Sequence, residues 1–186
     1  MKVLVACEMS GVVREAFRRQ GHDAWSCDLV PAIDSPLHHF QGDVLKLVNQ
    51  GWDLMISHPP CTYLAVSGAR WWKDKLYEQA LAEWLFMRLV ESPISKIAIE
   101  NPIGLMSTAY RKPDQIVQPW MFGEGETKAT CLWLKNLPKL APTNVVDGRV
   151  PRVHHESPGI KNGLTRAQRR SITYQGIADA MAQQWG

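Results

Sequence analysis

The sequence lacks the features that mark secreted, membrane-spanning and repetitive proteins. Its four cysteines stand at positions 7, 27, 61 and 131, and no two of them form a CxxC pair. The most apolar longer stretch, residues 81–90, carries Glu83 and Arg88 and is too short to span a bilayer. No period recurs along the chain, and no signal peptide precedes the first strand-like segment. We therefore expect a reduced, cytoplasmic protein without a disulfide framework or a membrane segment.

The sequence also has little excess charge and no metal-binding spacing. It contains 21 Lys+Arg residues against 18 Asp+Glu, a formal net charge of +3. This mild excess permits a nucleic-acid partner but does not demand one. The histidine pairs at 38–39 and 154–155 and the cysteines lack zinc-finger spacing, so we expect no metal. With 186 residues, 45% of them hydrophobic, the chain suits a single domain over residues 1–186.

Short apolar segments alternate with segments of helical periodicity. Strands are predicted at Lys2–Cys7, Ala24–Cys27, Asp53–Ser57, Lys96–Ile99 and Thr130–Leu134. Ser10 is predicted to cap a helix that ends near Gly21, and a last helical region begins at Thr165. A long helix is predicted at Leu76–Glu91, with Leu81, Trp84, Leu85 and Leu89 facing inward. This alternation predicts an α/β fold with a mostly parallel sheet flanked by helices.

Ligands of such sheets bind beyond the carboxyl ends of the strands, where this chain concentrates its polar residues. The first strand leads through residues 7–11 into a helix N-terminus, an arrangement that suits a nucleotide-like ligand. Asp28 ends the second strand, where an acid accepts hydrogen bonds from ribose hydroxyls. Asp43 precedes the third predicted strand and is a candidate to read an adenine amino group. A solvated surface role remains the alternative for each acid.

Two further strand ends carry a thiol and a carboxyl. Cys61 follows two prolines after the strand Asp53–Ser57, and Glu100 follows the next predicted strand. If these strands are parallel neighbours, both side chains point into one cleft. A thiol beside a carboxyl suits attack on an electron-poor ring with protonation of a ring nitrogen. The alternative for Cys61 is a buried structural cysteine.

These residues resemble the catalytic core of the DNA cytosine carbon-5 methyltransferases, from Lys2 to Trp185. Residues 53–61 resemble the strand and Pro-Cys nucleophile of that family, and residues 100–105 resemble its Glu-Asn-Val motif. Residues 176–180 resemble the family's C-terminal Gly-Asn-Ala helix. The resemblance implies a Rossmann-like class I fold and S-adenosylmethionine as cofactor. It implies catalytic residues Cys61, Glu100 and Lys128, cofactor-binding residues Cys7, Glu8, Ser10, Gly11, Asp28, Asp43 and Pro59, and substrate-binding residues Pro60, Asn101 and Pro102.

The resemblance also implies a reaction. The Cys61 thiolate adds to carbon 6 of cytosine while Glu100 protonates ring nitrogen 3. Carbon 5 then takes the methyl group, and loss of its proton and of the thiol releases 5-methylcytosine. In duplex DNA the target base must first be flipped out of the stack.

The chain departs from the family pattern at several positions. Glu8 stands where a glycine is expected, which predicts crowding of the cofactor. Residues 126–130 stand for the Gln-x-Arg-x-Arg motif, with Lys128 replacing the first arginine and Thr130 unable to replace the second. His58 replaces the small or aromatic residue before Pro-Cys.

The largest departure is that residues 137–164 form only a long connection, where relatives carry a target-recognition domain. Short relatives of this kind resemble bacteriophage-encoded methylases. The substrate is then loosely specified DNA, DNA presented by a partner protein, or a free cytosine nucleotide. Basic side chains in and after the connection either track phosphates or form a solvated surface: Arg149, Arg152, His154, His155, Lys161, Arg166, Arg169 and Arg170.

Two other functions compete with this interpretation. An amino-methyltransferase uses a strand-end (Asp/Asn/Ser)-Pro-Pro-aromatic motif, which residues 57–61 match in shape but not in the acid/amide and aromatic positions. A non-catalytic, nucleic-acid-binding relative is the second alternative, although it would not need Cys61 and Glu100. The pair Trp71–Trp72 is either a lid over a flipped base or, as we favour, an anchor of its loop.

Overall fold

We describe the protein from a computed structural model, which covers residues 1–70, 72–153 and 155–186 in full. Seven strands form the main sheet: β1 Lys2–Ala6, β2 Asp23–Asp28, β3 His39–Gln41, β4 Leu54–Ser57, β5 Lys96–Pro102, β6 Gln115–Val117 and β7 Thr130–Lys135. A small hairpin follows, with β8 Ile160–Lys161 and β9 Leu164–Thr165. The helices are α1 Val12–Arg19, α2 Leu76–Val90, α3 Met106–Ala109, α4 Arg152–His155, α5 Arg166–Ser171 and α6 Gln175–Trp185. Short 3-10 helices lie at Val44–Lys46, Val66–Asp74 and Pro119–Met121.

The predicted mostly parallel sheet is confirmed. Its strand order is β3-β2-β1-β4-β5-β7-β6, and β1 to β5 run parallel to one another. Strand β7 runs antiparallel to both of its neighbours, β5 and β6, and β6 is the edge strand on that side. The order reverses at β1, so the carboxyl ends of β1, β2 and β4 meet at the switch point where such sheets bind ligands.

The sheet has a hydrophobic cluster on each face. Strand β1 alternates between them, because successive side chains of a strand point to opposite faces. Val3 and Val5 pack with α1 and α6, and Phe17 is fully buried there. Leu4 packs on the other face, where Phe86 of α2 is fully buried. This layering fixes the strand ends from both sides.

Several boundaries differ from the sequence-based prediction. Gly11, with φ of 74°, is the N-cap of α1, so Ser10 is not. Strands β3 and β6 were not predicted, since each is only three residues long. The segment that carries Trp71 and Trp72 contains the 3-10 helix Val66–Asp74, and Glu100 lies within β5 rather than after the predicted strand.

The inward face of α2 was partly predicted wrongly. Leu89 is buried as expected, together with Phe86, but Leu81 and Trp84 are 48% and 54% exposed. The helix carries apolar side chains on every face. Its periodicity therefore does not select the face that packs against the sheet.

Candidate active site at the carboxyl ends of the strands

Cys61 lies at the surface end of β4, held there by the rigid Pro59–Pro60 backbone. Its residue is exposed, whereas Cys27 and Cys131 are buried and Cys7 is partly buried. The surrounding protein and the Glu100 charge raise the pKa of the Cys61 thiol, while Lys128 and Arg170 lower it. Solvent thus reaches a thiol whose ionisation depends on three charged neighbours.

Glu100 is the carboxyl that faces this thiol. Its Oε2 lies 3.0 Å from Nδ1 of His58, and its side chain is 18% exposed. Burial by itself raises the pKa of Glu100. The hydrogen bond from His58, the charge of Lys128 and the hydroxyl of Thr130 outweigh burial, so the pKa lies below its ordinary value. Glu100 is therefore ionised at neutral pH.

The segments after Cys61 and after Glu100 are joined to each other. Nδ2 of Asn101 donates to the Pro59 carbonyl at 2.8 Å, from a fully buried amide. Farther along, the Leu105 N–H donates to the Leu64 carbonyl at 2.8 Å. A side chain at Gly104 would overlap that same carbonyl oxygen, so this close approach requires glycine. Two hydrogen bonds thus join the backbone segments that carry the thiol and the carboxyl.

Lys128 joins the site from the segment just before β7, the strand that pairs with β5 beyond Glu100. Its charge acts on both Glu100 and Cys61, and its Nζ donates to the Arg170 carbonyl at 3.0 Å. That bond ties the end of α5 to the start of β7. The structure thus brings together Cys61, Glu100 and Lys128, the three residues that the resemblance assigned to catalysis.

Sequence reasoning missed the roles of His58, Thr130 and Arg170 around this centre. His58 and Thr130 were noted only as departures from the family pattern, and each contacts Glu100. Arg170 was counted only among basic residues, yet its charge reaches Cys61. Its buried Nε has no hydrogen-bond partner in the part of the chain that the structure describes. For His58 and Thr130, the only sign in the sequence was that each departs from the family pattern.

The proposed cofactor residues at β1, β2 and the turn after β3 also come together. Asp28 and Asp43 both raise the pKa of the Cys7 thiol, after the larger effect of its burial. Oδ1 of Asp28 accepts from the Val30 N–H at 3.2 Å, and Oδ1 of Asp43 from the Leu45 N–H at 3.0 Å. Carboxylate oxygens are the acceptors that ribose hydroxyls and an adenine amino group require. The acceptor chemistry of this edge fits the ribose and adenine of S-adenosylmethionine.

Glu8 has a structural role that the sequence did not indicate. Its carboxylate is 4% exposed and accepts from the Val13 N–H at 2.7 Å and the Arg14 N–H at 3.2 Å. The Ser10 hydroxyl donates to it at 3.2 Å. The free N–H groups expected for a ligand at this helix end are therefore engaged by Glu8. Burial raises the pKa of Glu8, against the lowering effects of His58 and these hydrogen bonds.

The loop after β2 folds over the first turn of α1. The guanidinium of fully buried Arg14 pairs with the Asp34 carboxylate at 2.5 Å and donates to Ser26 at 2.9 Å. A side chain at Gly11 would overlap Asp34. Gly11 thus permits both a left-handed turn and the contact of this loop with α1.

Most of the basic residues after β7 are engaged within the protein. Arg152 pairs with Glu126 at 3.0 Å, and Arg169 pairs with Glu156 at 2.8 Å. Arg149 lies over the Trp120 ring at 3.9 Å. Together with Arg170, Tyr174 and their neighbours, several of these line a cleft of about 200 Å³. The basic segment is accordingly folded against the protein rather than fully solvated.

The side chains of Trp71 and His154 lie outside the described residues. The lid or anchor role of Trp71 and the phosphate-binding or surface role of His154 therefore stay predictions. Trp72 is partly buried and lines a second cleft of about 190 Å³ with Thr62, Tyr63, Gly68 and Lys75. Among the described residues, no group of three or more His, Cys, Asp and Glu side chains is arranged to hold a metal ion. No helix in that same part of the chain has the length and apolarity needed to cross a membrane.

Solved methyltransferases have the same fold. A protein described as a DNA modification methyltransferase, encoded within an E. coli prophage, superposes with a TM-score of 0.57 at 18% identity over 86% of this chain. The Entamoeba histolytica methyltransferase EhMeth gives 0.53 at 14% identity over 78% of the chain. The S. pombe Dnmt2 methyltransferase gives 0.53 at 16% identity over 87%. The chain has the Rossmann-like class I methyltransferase fold that the resemblance implied.

This similarity concerns the fold and part of a larger protein. The matched regions cover 56%, 57% and 57% of those three chains, so this chain spans a little over half of their length. No protein-family profile matches the sequence, and no curated protein matches it either. The activity must therefore be argued from the site.

Proposed function

We propose that the protein transfers a methyl group from S-adenosylmethionine to carbon 5 of cytosine, with DNA as the substrate. The observation that carries the proposal is that two adjacent parallel strands bring the Glu100 carboxylate near enough to Cys61 for its charge to raise the pKa of the thiol. A thiol and a carboxyl held beside each other suit attack on a ring with protonation of its nitrogen. The methyltransferase fold supports the same conclusion.

In the proposed reaction, the Cys61 thiolate forms a bond to carbon 6 while Glu100 gives a proton to nitrogen 3. S-adenosylmethionine supplies the methyl group that carbon 5 takes. Water removes the carbon-5 proton, nitrogen 3 returns its proton to Glu100, and the thiolate leaves. Lys128 and Arg170 assist the first step, because their charges favour the thiolate.

Asp28 and Asp43 are proposed to hold the ribose and the adenine amino group of the cofactor. Both carboxylates lie near Cys7, at the strand ends on the other side of β1 from Cys61. Pro60, Asn101 and Pro102 are proposed to border the cytosine, since Asn101 fixes the backbone of the Pro59–Pro60 turn. Target recognition is proposed to come from a partner protein or to be loose, because the described residues between β7 and α5 hold only the short helix α4 and the β8–β9 hairpin.

A tritium-transfer assay tests the proposal. Duplex DNA, single-stranded DNA and cytosine nucleotides are offered in parallel with labelled S-adenosylmethionine, and mass spectrometry identifies the product base. We expect 5-methylcytosine in DNA, with a loss of at least about a hundredfold for Cys61→Ser or Glu100→Gln. Cys27→Ser is the matched control, because serine keeps the hydrogen bond that the Cys27 thiol donates to the Gly42 carbonyl.

The same assay has outcomes that contradict the proposal. Transfer to N4 of cytosine or N6 of adenine would indicate an amino-methyltransferase. Wild-type rates in the Cys61→Ser variant would exclude the covalent mechanism. Failure of the folded protein to transfer a methyl group to any of the three substrates would favour the non-catalytic alternative.

A covalent adduct provides a second test. DNA containing 5-fluorocytosine cannot lose the carbon-5 substituent as a proton, so the adduct should persist. We expect a denaturation-resistant complex in the presence of S-adenosylmethionine, with the added mass on the peptide that contains Cys61. An adduct on another cysteine would contradict the assignment.

A further inference from the structure

His58 is held between two buried carboxyl groups at the end of β4. Its side chain is 8% exposed, and Nδ1 lies 3.0 Å from Oε2 of Glu100. On its other side, Glu8 is close enough for the imidazole charge to lower the pKa of that carboxyl. The position before Pro-Cys thus carries an ionisable group where a small or aromatic residue was expected.

The backbone around His58 is fixed on both sides. The His58 N–H donates to the Ala6 carbonyl at 2.9 Å, and the next residue's carbonyl accepts from Asn101 at 2.8 Å. The imidazole therefore has little freedom to leave Glu100. This geometry suits proton transfer, which requires heavy atoms within hydrogen-bond distance.

Nε2, the second imidazole nitrogen of His58, is buried and has no hydrogen-bond partner within the described part of the chain. Glu8 does not supply that bond, and its own carboxylate is engaged by the N-terminus of α1 and by Ser10. A buried ring with only one hydrogen bond, to the catalytic carboxylate, is costly unless it has a further role.

The proposed reaction requires a proton donor for Glu100, and the His58 imidazole can serve as one. Glu100 must deliver a proton to cytosine nitrogen 3, yet Glu100 is ionised before the reaction because His58, Lys128 and Thr130 stabilise its charge. Its oxygens are largely buried, so a proton from bulk water has limited access. His58 is already hydrogen-bonded to Oε2, so it can supply the proton without access to bulk water.

We propose that His58 is the proton reservoir of Glu100: its imidazolium gives the Nδ1 proton to Oε2 as Glu100 gives a proton to cytosine nitrogen 3. This inference rests on the proposed cytosine carbon-5 chemistry. The N–H bond at Nδ1 breaks and an O–H bond forms at Glu100, whose proton moves to the base as sulfur bonds to carbon 6. The histidine becomes neutral, and it regains its proton when nitrogen 3 releases one.

The relay sets the sign of the pH dependence, because only a protonated His58 can supply the proton. Glu8 from the turn after β1 and Glu100 from β5 face the imidazole, and Lys128 acts on Glu100. The Cys61 thiol adds no charge until it ionises. We therefore expect kcat to fall as pH rises and the imidazolium is lost.

The test compares His58→Asn with His58→Ala. The asparagine amide nitrogen occupies the position of Nδ1 and can keep the hydrogen bond to Glu100, but it cannot carry a transferable proton. We expect His58→Asn to retain KM for DNA, to lose about a hundredfold in kcat and to lose the alkaline decline of kcat. His58→Ala should in addition alter KM, because Glu100 is no longer oriented. His22→Asn, at the far end of the sheet, is the matched control.

A measurement that does not depend on turnover accompanies the kinetics. Imidazole nitrogen chemical shifts of His58 in the free protein, recorded by NMR, should change in Glu100→Gln, because the contact of Nδ1 with a carboxylate is lost. Unchanged His58 nitrogen shifts in that variant would overturn the pairing, and a wild-type kcat–pH profile in His58→Asn would overturn the relay. If the wild-type protein forms no 5-methylcytosine, the proposed function and this inference both fail. If the wild-type protein is active but either the NMR or the kcat–pH result contradicts the expectation, only this inference fails.

Discussion

The reactivity of Cys61 is a balance between charges carried by three other side chains. Burial and the Glu100 carboxylate raise the pKa of the thiol, and Lys128 and Arg170 lower it. The residue needed to protonate the base therefore suppresses the nucleophile while it is ionised. Delivery of a proton by Glu100 removes this charge at the moment when the thiolate must attack.

This balance predicts opposite effects of Glu100→Gln on two reactions. Since alkylation follows the thiolate fraction, iodoacetamide should modify Cys61 faster in Glu100→Gln than in the wild type, by up to about tenfold for each unit by which the thiol pKa falls. The same variant should lose methyl transfer. Lys128→Gln should slow alkylation instead. Peptide mass spectrometry at pH 8 measures the rates, with Glu91→Gln as an exposed, distant control. Slower alkylation in Glu100→Gln would contradict the charge assignment.

At the scale of elements, a buried carboxylate organises the turn between β1 and α1. Glu8 caps the helix through the Val13 and Arg14 N–H groups, where the sequence predicted a cap at Ser10 and a free helix end. A negative charge at a helix N-terminus is favourable, but burying it is costly. Burial dominates, because the pKa of Glu8 is raised.

A raised carboxyl pKa gives a definite dependence of stability on pH. The folded protein holds the Glu8 proton to higher pH than the unfolded chain, whose glutamates titrate near 4.5. Stability from this group is therefore lost as pH rises above about 4.5. Glutamine cannot ionise, so Glu8→Gln should gain stability relative to the wild type between pH 4 and pH 7, by at most about 1.4 kcal/mol per pH unit.

Chemical denaturation of both proteins at a series of pH values measures this difference in the free energy of unfolding. Because other titrating groups are shared, they cancel in the comparison. Glu83→Gln on α2 provides a matched control for the loss of one carboxylate. A difference that is constant with pH, or that favours the wild type increasingly at higher pH, would contradict the buried-charge argument.

At the scale of the whole molecule, one sheet links the two hydrophobic clusters and the site. Phe17 lies in the cluster shared by α1 and α6, and Phe86 lies in the cluster under α2. Strand β1 contributes side chains to both clusters and ends at the turn that holds Cys7 and Glu8. Loss of packing on either face should therefore disturb the entire domain.

We predict that Phe17→Ala and Phe86→Ala each reduce the free energy of unfolding by about 3–5 kcal/mol, since both rings are fully buried. Each variant should still unfold in a single transition, as expected of one domain over residues 1–186. Fluorescence and circular dichroism followed against denaturant provide two independent probes. Transitions that separate in one variant would indicate two independently folding parts.

The sequence by itself determined the parallel sheet, the long helix α2 and the position of Cys61 and Glu100 near the ends of two strands, whereas only the structure showed that these strands are parallel neighbours. These predictions follow from local apolar periodicity and from the order of strands along the chain, and both can be read from the sequence. The sequence could not determine which face of α2 packs inward, because its apolar residues surround the helix.

Only the tertiary structure decided which side chains act together across the strand ends. It directed His58 to Glu100, 42 residues away, turned Glu8 into the helix cap and brought the charge of Arg170 to Cys61. Such contacts depend on side-chain direction and on how distant segments pack, which no local pattern encodes. The sequence therefore identified Cys61 and Glu100 as the reacting groups. The tertiary packing determined which charged side chains surround them and so their protonation.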